Sequence, residues 1–160
     1  MDKKLRKRET LLADAGAGVI LFVVWSIAKV NLYLGVSGFF LDDVNRYVEE
    51  TGINKTLLLA FIGAIFIGIL LWQLCTRLYI GVCAIRESKG KSKGWVYLVV
   101  AAVLLISEVQ TFWSMLMPGT HDSIGNAIMT VCMEAASVFV LLELLVSGIC
   151  VKYLRNKRKA

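Results

Sequence analysis

Proline and histidine each occur once in this chain of 160 residues, and only 19% of its residues are charged. The shortage of proline leaves long segments free to stay helical, since proline is the residue that breaks an i to i−4 ladder. The single histidine, His121, excludes a haem held between two histidines of one chain and any multi-histidine metal centre. It sits with Asp122 beside Met117-Pro118-Gly119-Thr120, a tight turn in which a histidine is ordinarily solvated. The four cysteines, Cys75, Cys83, Cys132 and Cys150, contain no Cys-x-x-Cys pair and are too few for a disulfide scaffold. They read as small apolar packing residues. Gly90-Lys91-Ser92 imitates the end of a phosphate-binding loop, but Ile85 stands where that motif needs its first glycine. The serines and threonines have no histidine within the apolar segments to activate them. These absences predict a protein that is not an enzyme and has no cofactor and no metal.

What is abundant is apolar surface. Hydrophobic residues make up 58% of the chain, against about 45–50% in a soluble domain. They gather in four stretches, approximately 11–36, 56–84, 95–117 and 124–151. At about 1.5 Å per residue each is long enough to cross about 30 Å of hydrocarbon as a helix. Leu57-Leu58-Leu59-Ala60-Phe61-Ile62 is apolar on every face, which is the pattern of a spanning helix rather than an alternating barrel strand. The expected fold is all-α, an antiparallel four-helix membrane bundle forming a single domain over 1–160. A basic start followed by an apolar run resembles a signal peptide, and Val36-Ser37-Gly38 resembles its cleavage site. The run is too long for that and contains Lys29 and Asn31, so an uncleaved first span is expected.

Direction follows from lysine and arginine, which favour the cytoplasmic side. Fourteen of the 18 lie in the N-terminal segment, the loop 85–94 and the tail 152–160, whereas the other two loops hold only Arg46 and Lys55. Both termini are expected to be cytoplasmic, in a multi-pass protein of a bacterial cell membrane. The same asymmetry accounts for the net charge of +6 without nucleic acid, and it suits anionic lipid headgroups as partners. In the first external loop, Phe40, Val44, Tyr47 and Val48 recur at helical spacing between Asp42, Asp43, Arg46, Glu49 and Glu50. That predicts a short interfacial helix around 40–50, stopping at Thr51-Gly52. Asn54-Lys55-Thr56 matches a glycosylation sequon, but it abuts the membrane and has meaning only in a eukaryotic secretory membrane. The aromatic residues Trp25, Trp72, Trp95 and Trp113, with Tyr33, Tyr79, Tyr97 and Tyr153, mostly suit interfacial belts, Trp25 lying deeper.

Asp14, Lys29, Arg77, Glu108, Glu134 and Glu143 interrupt the spans. A charge at such depth costs at least about 2.5–3.5 kcal/mol, so partners or a function are expected. Measured from each helix centre, Lys29, Glu108 and Glu134 fall about 3–7 Å to the outer side, and Arg77 and Glu143 about 7–10 Å to the inner side. The expectation is an outer polar layer of Lys29, Glu108 and Glu134, supplemented by Asn31, Gln110 and Thr130. The inner layer pairs Arg77 with Glu143, near Gln73. Asn126, Thr130, Glu134, Ser137 and Gly148 share one face of the fourth span, and Glu143 is turned about 180° from Glu134. Snorkelling of Lys29 and Arg77 toward opposite surfaces is the alternative to pairing. Ala60, Ala64 and Gly68, and likewise Ala13 and Ala17, offer the small-residue spacing that lets helices approach closely. Two functions follow. The first is a non-catalytic accessory subunit acting by helix–helix association, with another membrane protein or itself as a homo-oligomer. The second is an oligomeric proton- or cation-coupled transporter or channel using Glu108 and Glu134.

Overall fold

A computed structural model describes residues 2–36, 38–91, 93–115 and 124–159. Among the described residues there are five helices, α1 (Asp2–Val36), α2 (Gly38–Thr51), α3 (Lys55–Ser88), α4 (Val96–Met115) and α5 (Ile124–Lys159). All but α2 are long and apolar enough to cross a membrane. Helices α1, α3 and α5 run past the apolar stretches that announce them. Hydropathy marks the thickness of an apolar layer, whereas lysine, arginine and glutamate beyond it are good helix formers in water. His121 and the turn around Pro118 lie outside the described residues.

The ends of the inner elements are set by local chemistry. Helix α2 stops at Gly52, whose φ of +69° is open to glycine and whose N–H donates to Val48 O at 2.9 Å. Asn54 begins α3 by accepting the Thr56 N–H on Oδ1 at 2.9 Å. Gly90, with φ +87°, closes α3 as its N–H meets Glu87 O and the Lys91 N–H meets Arg86 O. Asn54 is therefore a helix cap.

The chain divides into two compact units, one formed by Met1–Phe22 with Thr76–Ala160 and the other by Val23–Cys75. In the first, buried residues recur at steps of three and four, or their sum of seven: Leu98, Ala101 and Glu108 on α4, and Glu134, Ser137, Leu141, Leu144, Gly148 and Val151 on α5. Arg77, Ile80, Ala84 and Glu87 do the same on α3, and Leu12, Gly16 and Val19 on α1. A period near 3.5 is the signature of left-handed helix packing, in which such a stripe stays against its neighbours. Helices α1 and α3 come closest through two glycines. A Cβ on Gly16 would stand 3.0 Å from Gly81 O, and one on Gly81 would stand 2.7 Å from Gly16 O and 2.5 Å from Ile20 Cγ1. Gly148 makes the equivalent approach on α5, where a Cβ would meet Leu98 Cδ2 at 2.7 Å. The close contacts are thus made by Gly16, Gly81 and Gly148 and not by the expected alanine series. Ala17 is exposed and Ala13 half-buried.

In the second unit, Val23, Trp25, Ser26 and Val44 are buried, so α2 presents one apolar residue inward while Arg46, Tyr47, Glu49 and Glu50 stay exposed. Ala60, Ala64 and Gly68 are exposed on α3, and a Cβ on Gly68 would meet nothing within 4 Å.

Candidate functional site

The first unit has an apolar middle bounded by a polar layer at each end. In one layer Arg77 of α3, 2% exposed, donates from Nη2 to Glu108 Oε1 of α4 at 2.5 Å. Nη1 and Nη2 also reach Ser137 Oγ of α5 at 3.3 and 3.2 Å. Glu134, 0% exposed, stands one turn before Ser137 on the same buried face. One guanidinium therefore joins three helices and shares its layer with two carboxylates, in a region where water does not screen charge.

This arrangement corrects the expected pairing of Arg77 with Glu143. Glu143 is exposed on α5 and takes no part in the layer, because nine residues of helix turn it away from Glu134. It also corrects the assignment of Arg77 and Glu108 to separate layers. Arg77 stands eleven residues before the end of α3, and Glu108 twelve after the start of α4, so the hairpin brings them level. Measuring each helix from its own centre misplaces them, because α3 has 34 residues and α4 has 20. Counting outward from the connecting loop is the signal that finds the pair. Gln110 is exposed, while Thr130 and Gln73 are half-buried. The side chains of Lys29, Asn31 and Asn126 lie outside the described residues, so the expected contact of Lys29 with Glu108 and Glu134 does too. Asp14 is exposed.

The opposite layer centres on Glu87 of α3, which is 1% exposed and has no place among the expected site residues. Lys152 Nζ of α5 lies 2.8 Å from Glu87 Oε1 and also donates to the backbone carbonyl of Lys93. The same ammonium stands 5.3 Å from the Trp95 ring centre and 5.5 Å from that of Tyr97, within the range of cation–π attraction. One turn on, Arg155 Nη2 donates to Glu87 O and to Glu9 Oε1 of α1, each at 2.7 Å. Two carboxylates and two cations thus tie the N-terminal part of α1, the end of α3 and the C-terminal part of α5. Glu87 lies in a loop and helix end dominated by lysine and arginine, where a count of positive charge passes over it. Its place at the end of the series Arg77, Ile80, Ala84 was the available signal.

Among the described residues no group of three histidine, cysteine, aspartate or glutamate side chains could hold a metal ion. Among the described residues the Glu87 layer sets two carboxylates against two cations, and the Arg77 layer gathers Glu108 and Glu134 around one guanidinium. That chemistry suits fastening helices to one another. No family model, no curated protein and no solved structure matches the chain.

Proposed function

We propose that the protein is a non-catalytic membrane component that works by lateral helix association, as an antiparallel four-span bundle with both termini cytoplasmic. The observation that carries this reading is on α3. None of its most apolar eighteen-residue stretch is buried, and Ala60, Ala64 and Gly68 lie exposed along it. In lipid, where no hydrophobic force drives helices together, such small residues favour close backbone approach and van der Waals contact. The charges of the other unit, by contrast, are largely consumed in holding its own helices. We infer a second copy of this chain as one occupant of the α3 face, with anionic headgroups bound by the basic loop and tail.

Energy transfer between donor- and acceptor-labelled full-length chains in phosphatidylcholine–phosphatidylglycerol vesicles tests this. Transfer should fall on dilution with lipid and drop severalfold in Gly68→Ile, with helix content by circular dichroism unchanged. Transfer at the level of randomly distributed chains would remove self-association through α3. The alternative, a proton pathway, draws on the full burial of Glu134, one turn from the Ser137 that binds Arg77. Its signature would be proton entry into dye-loaded vesicles that Glu134→Gln abolishes.

A further inference from the structure

Helix α5 carries two stripes of the same period on opposite faces. The buried one runs from Glu134 to Val151. The other consists of Cys132, Phe139, Leu142, Val146, Ile149 and Tyr153, at steps of seven, three, four, three and four, and every one of these residues is exposed. A step near 3.5 residues is what a helix needs to keep one stripe against a neighbouring helix over its whole length. A surface facing only lipid has no such requirement. Glu143 flanks this outer stripe, exposed, about 40° from Phe139 and about 60° from Val146 around the helix. It makes no ion pair or hydrogen bond in the described structure, although it sits well inside the apolar segment of α5.

We propose that the outer face of α5 docks a transmembrane helix of a different protein, one that carries a lysine or arginine at the depth of Glu143. Charge decides between this occupant and a second copy. Two copies in one membrane have the same orientation, so self-packing along this stripe is parallel. In parallel packing the position of Glu143 faces the flanking position five residues earlier in the other helix, which is Val138. Both carboxylates would then be enclosed without a cation, which is expensive in a medium of low dielectric. Nor can another helix of a second copy supply the charge. Arg77 is buried and held by Glu108. By sequence, Lys29 follows the basic residue Arg8 by 21 positions whereas Glu143 precedes Lys152 by nine, which sets Lys29 about 18 Å farther from the basic end. A foreign basic helix satisfies the carboxylate and the apolar stripe together. The inference rests on the reading of this protein as a lateral partner and names the partner's chemistry for a face separate from α3.

The test uses the full-length chain, donor-labelled in phosphatidylcholine vesicles, with synthetic leucine–alanine transmembrane peptides as acceptors. One peptide bears a single lysine about one turn from its centre, and its twin bears leucine there. The lysine peptide should associate about tenfold more tightly than its twin, as expected for a paired polar contact between membrane helices. Glu143→Gln should erase that difference, with helix content and Arg77-dependent stability unchanged. Equal association of both peptides with the unaltered chain, or a lysine preference that survives Glu143→Gln, would overturn recognition at Glu143 while leaving lateral association through α3 standing. If neither peptide associates, the outer face of α5 docks no helix and the inference fails. Self-association measured in the absence of peptide then decides the broader reading by itself.

Discussion

A guanidinium enclosed to 2% exposure holds five N–H donors that lose water together, so what surrounds Arg77 decides the stability of its layer. Glu108 neutralises it and Ser137 takes two of its donors. Removing one partner leaves the other charge buried alone, a change that costs about 3–5 kcal/mol, whereas replacing both with apolar side chains is often close to neutral. Arg77→Leu is therefore expected to destabilise the protein by about 3 kcal/mol or more. The double variant Arg77→Leu with Glu108→Leu should recover most of that loss. Unfolding from mixed micelles by added sodium dodecyl sulfate, followed by circular dichroism, measures all members of the cycle. Additive losses in the double variant would show that the pair is not what holds these side chains. The existence of buried charges in this chain was legible from hydropathy alone, because any ionisable residue within an apolar run must be accounted for. Which charges meet was not legible that way. The pairing depends on register between helices, and register is fixed by loop length and by where glycines allow contact, which single-helix depths do not contain.

Among whole helices, the contact of α1 with α3 turns on Gly16 and Gly81, each placed where a side chain would strike the other's backbone. A backbone carbonyl cannot rotate aside as a side chain can, so the helices themselves would have to separate. Gly81→Ala should cost about 1–3 kcal/mol in the same micelle assay. Gly68→Ala, where a Cβ meets open space, should change stability by less than about 0.5 kcal/mol. The contrast is diagnostic, since spacing alone would have nominated Gly68 and passed over Gly81. Both positions belong to apolar helical runs, and only the identity of the facing surface separates them. The existence, type and order of the helices were readable because uniform apolarity over such lengths has few solutions, and α2 was readable from its alternation of Val44 and Val48 with Arg46, Glu49 and Glu50. Helix ends were less so. The capping glycines Gly52 and Gly90 mark two of them, but the basic extensions of α1 and α5 carry no hydropathy signal.

For the whole molecule, the Glu87 layer gives physical content to the distribution of positive charge. Glu9, near the start of the chain, and Arg155, near its end, are joined at 2.7 Å, and Lys152 binds both Glu87 and the backbone at Lys93 in the loop between α3 and α4. The three segments that hold fourteen of the 18 lysines and arginines thus meet at one end of their unit. Contacts as short as these are incompatible with a membrane lying between any two of the segments. The proposed orientation places this positively charged end on the cytoplasmic side, as the excess of lysine and arginine there favours. Single cysteines introduced into a variant lacking the four native ones, at Lys3, Lys91 and Lys157, should all resist a membrane-impermeant maleimide applied to intact cells, and all should react after lysis. A cysteine at Ile53, in the connection between α2 and α3, should react in intact cells. Substituting Glu87→Gln should leave this pattern in place, because the surrounding lysines and arginines remain, while loosening the clasp enough to speed amide exchange around Glu9. Labelling of residue 3 and residue 157 from opposite sides would contradict the Glu9–Arg155 contact and the orientation together. Labelling of residue 53 only after lysis, with residues 3 and 157 reached from outside, would keep the contact and reverse the protein in its membrane.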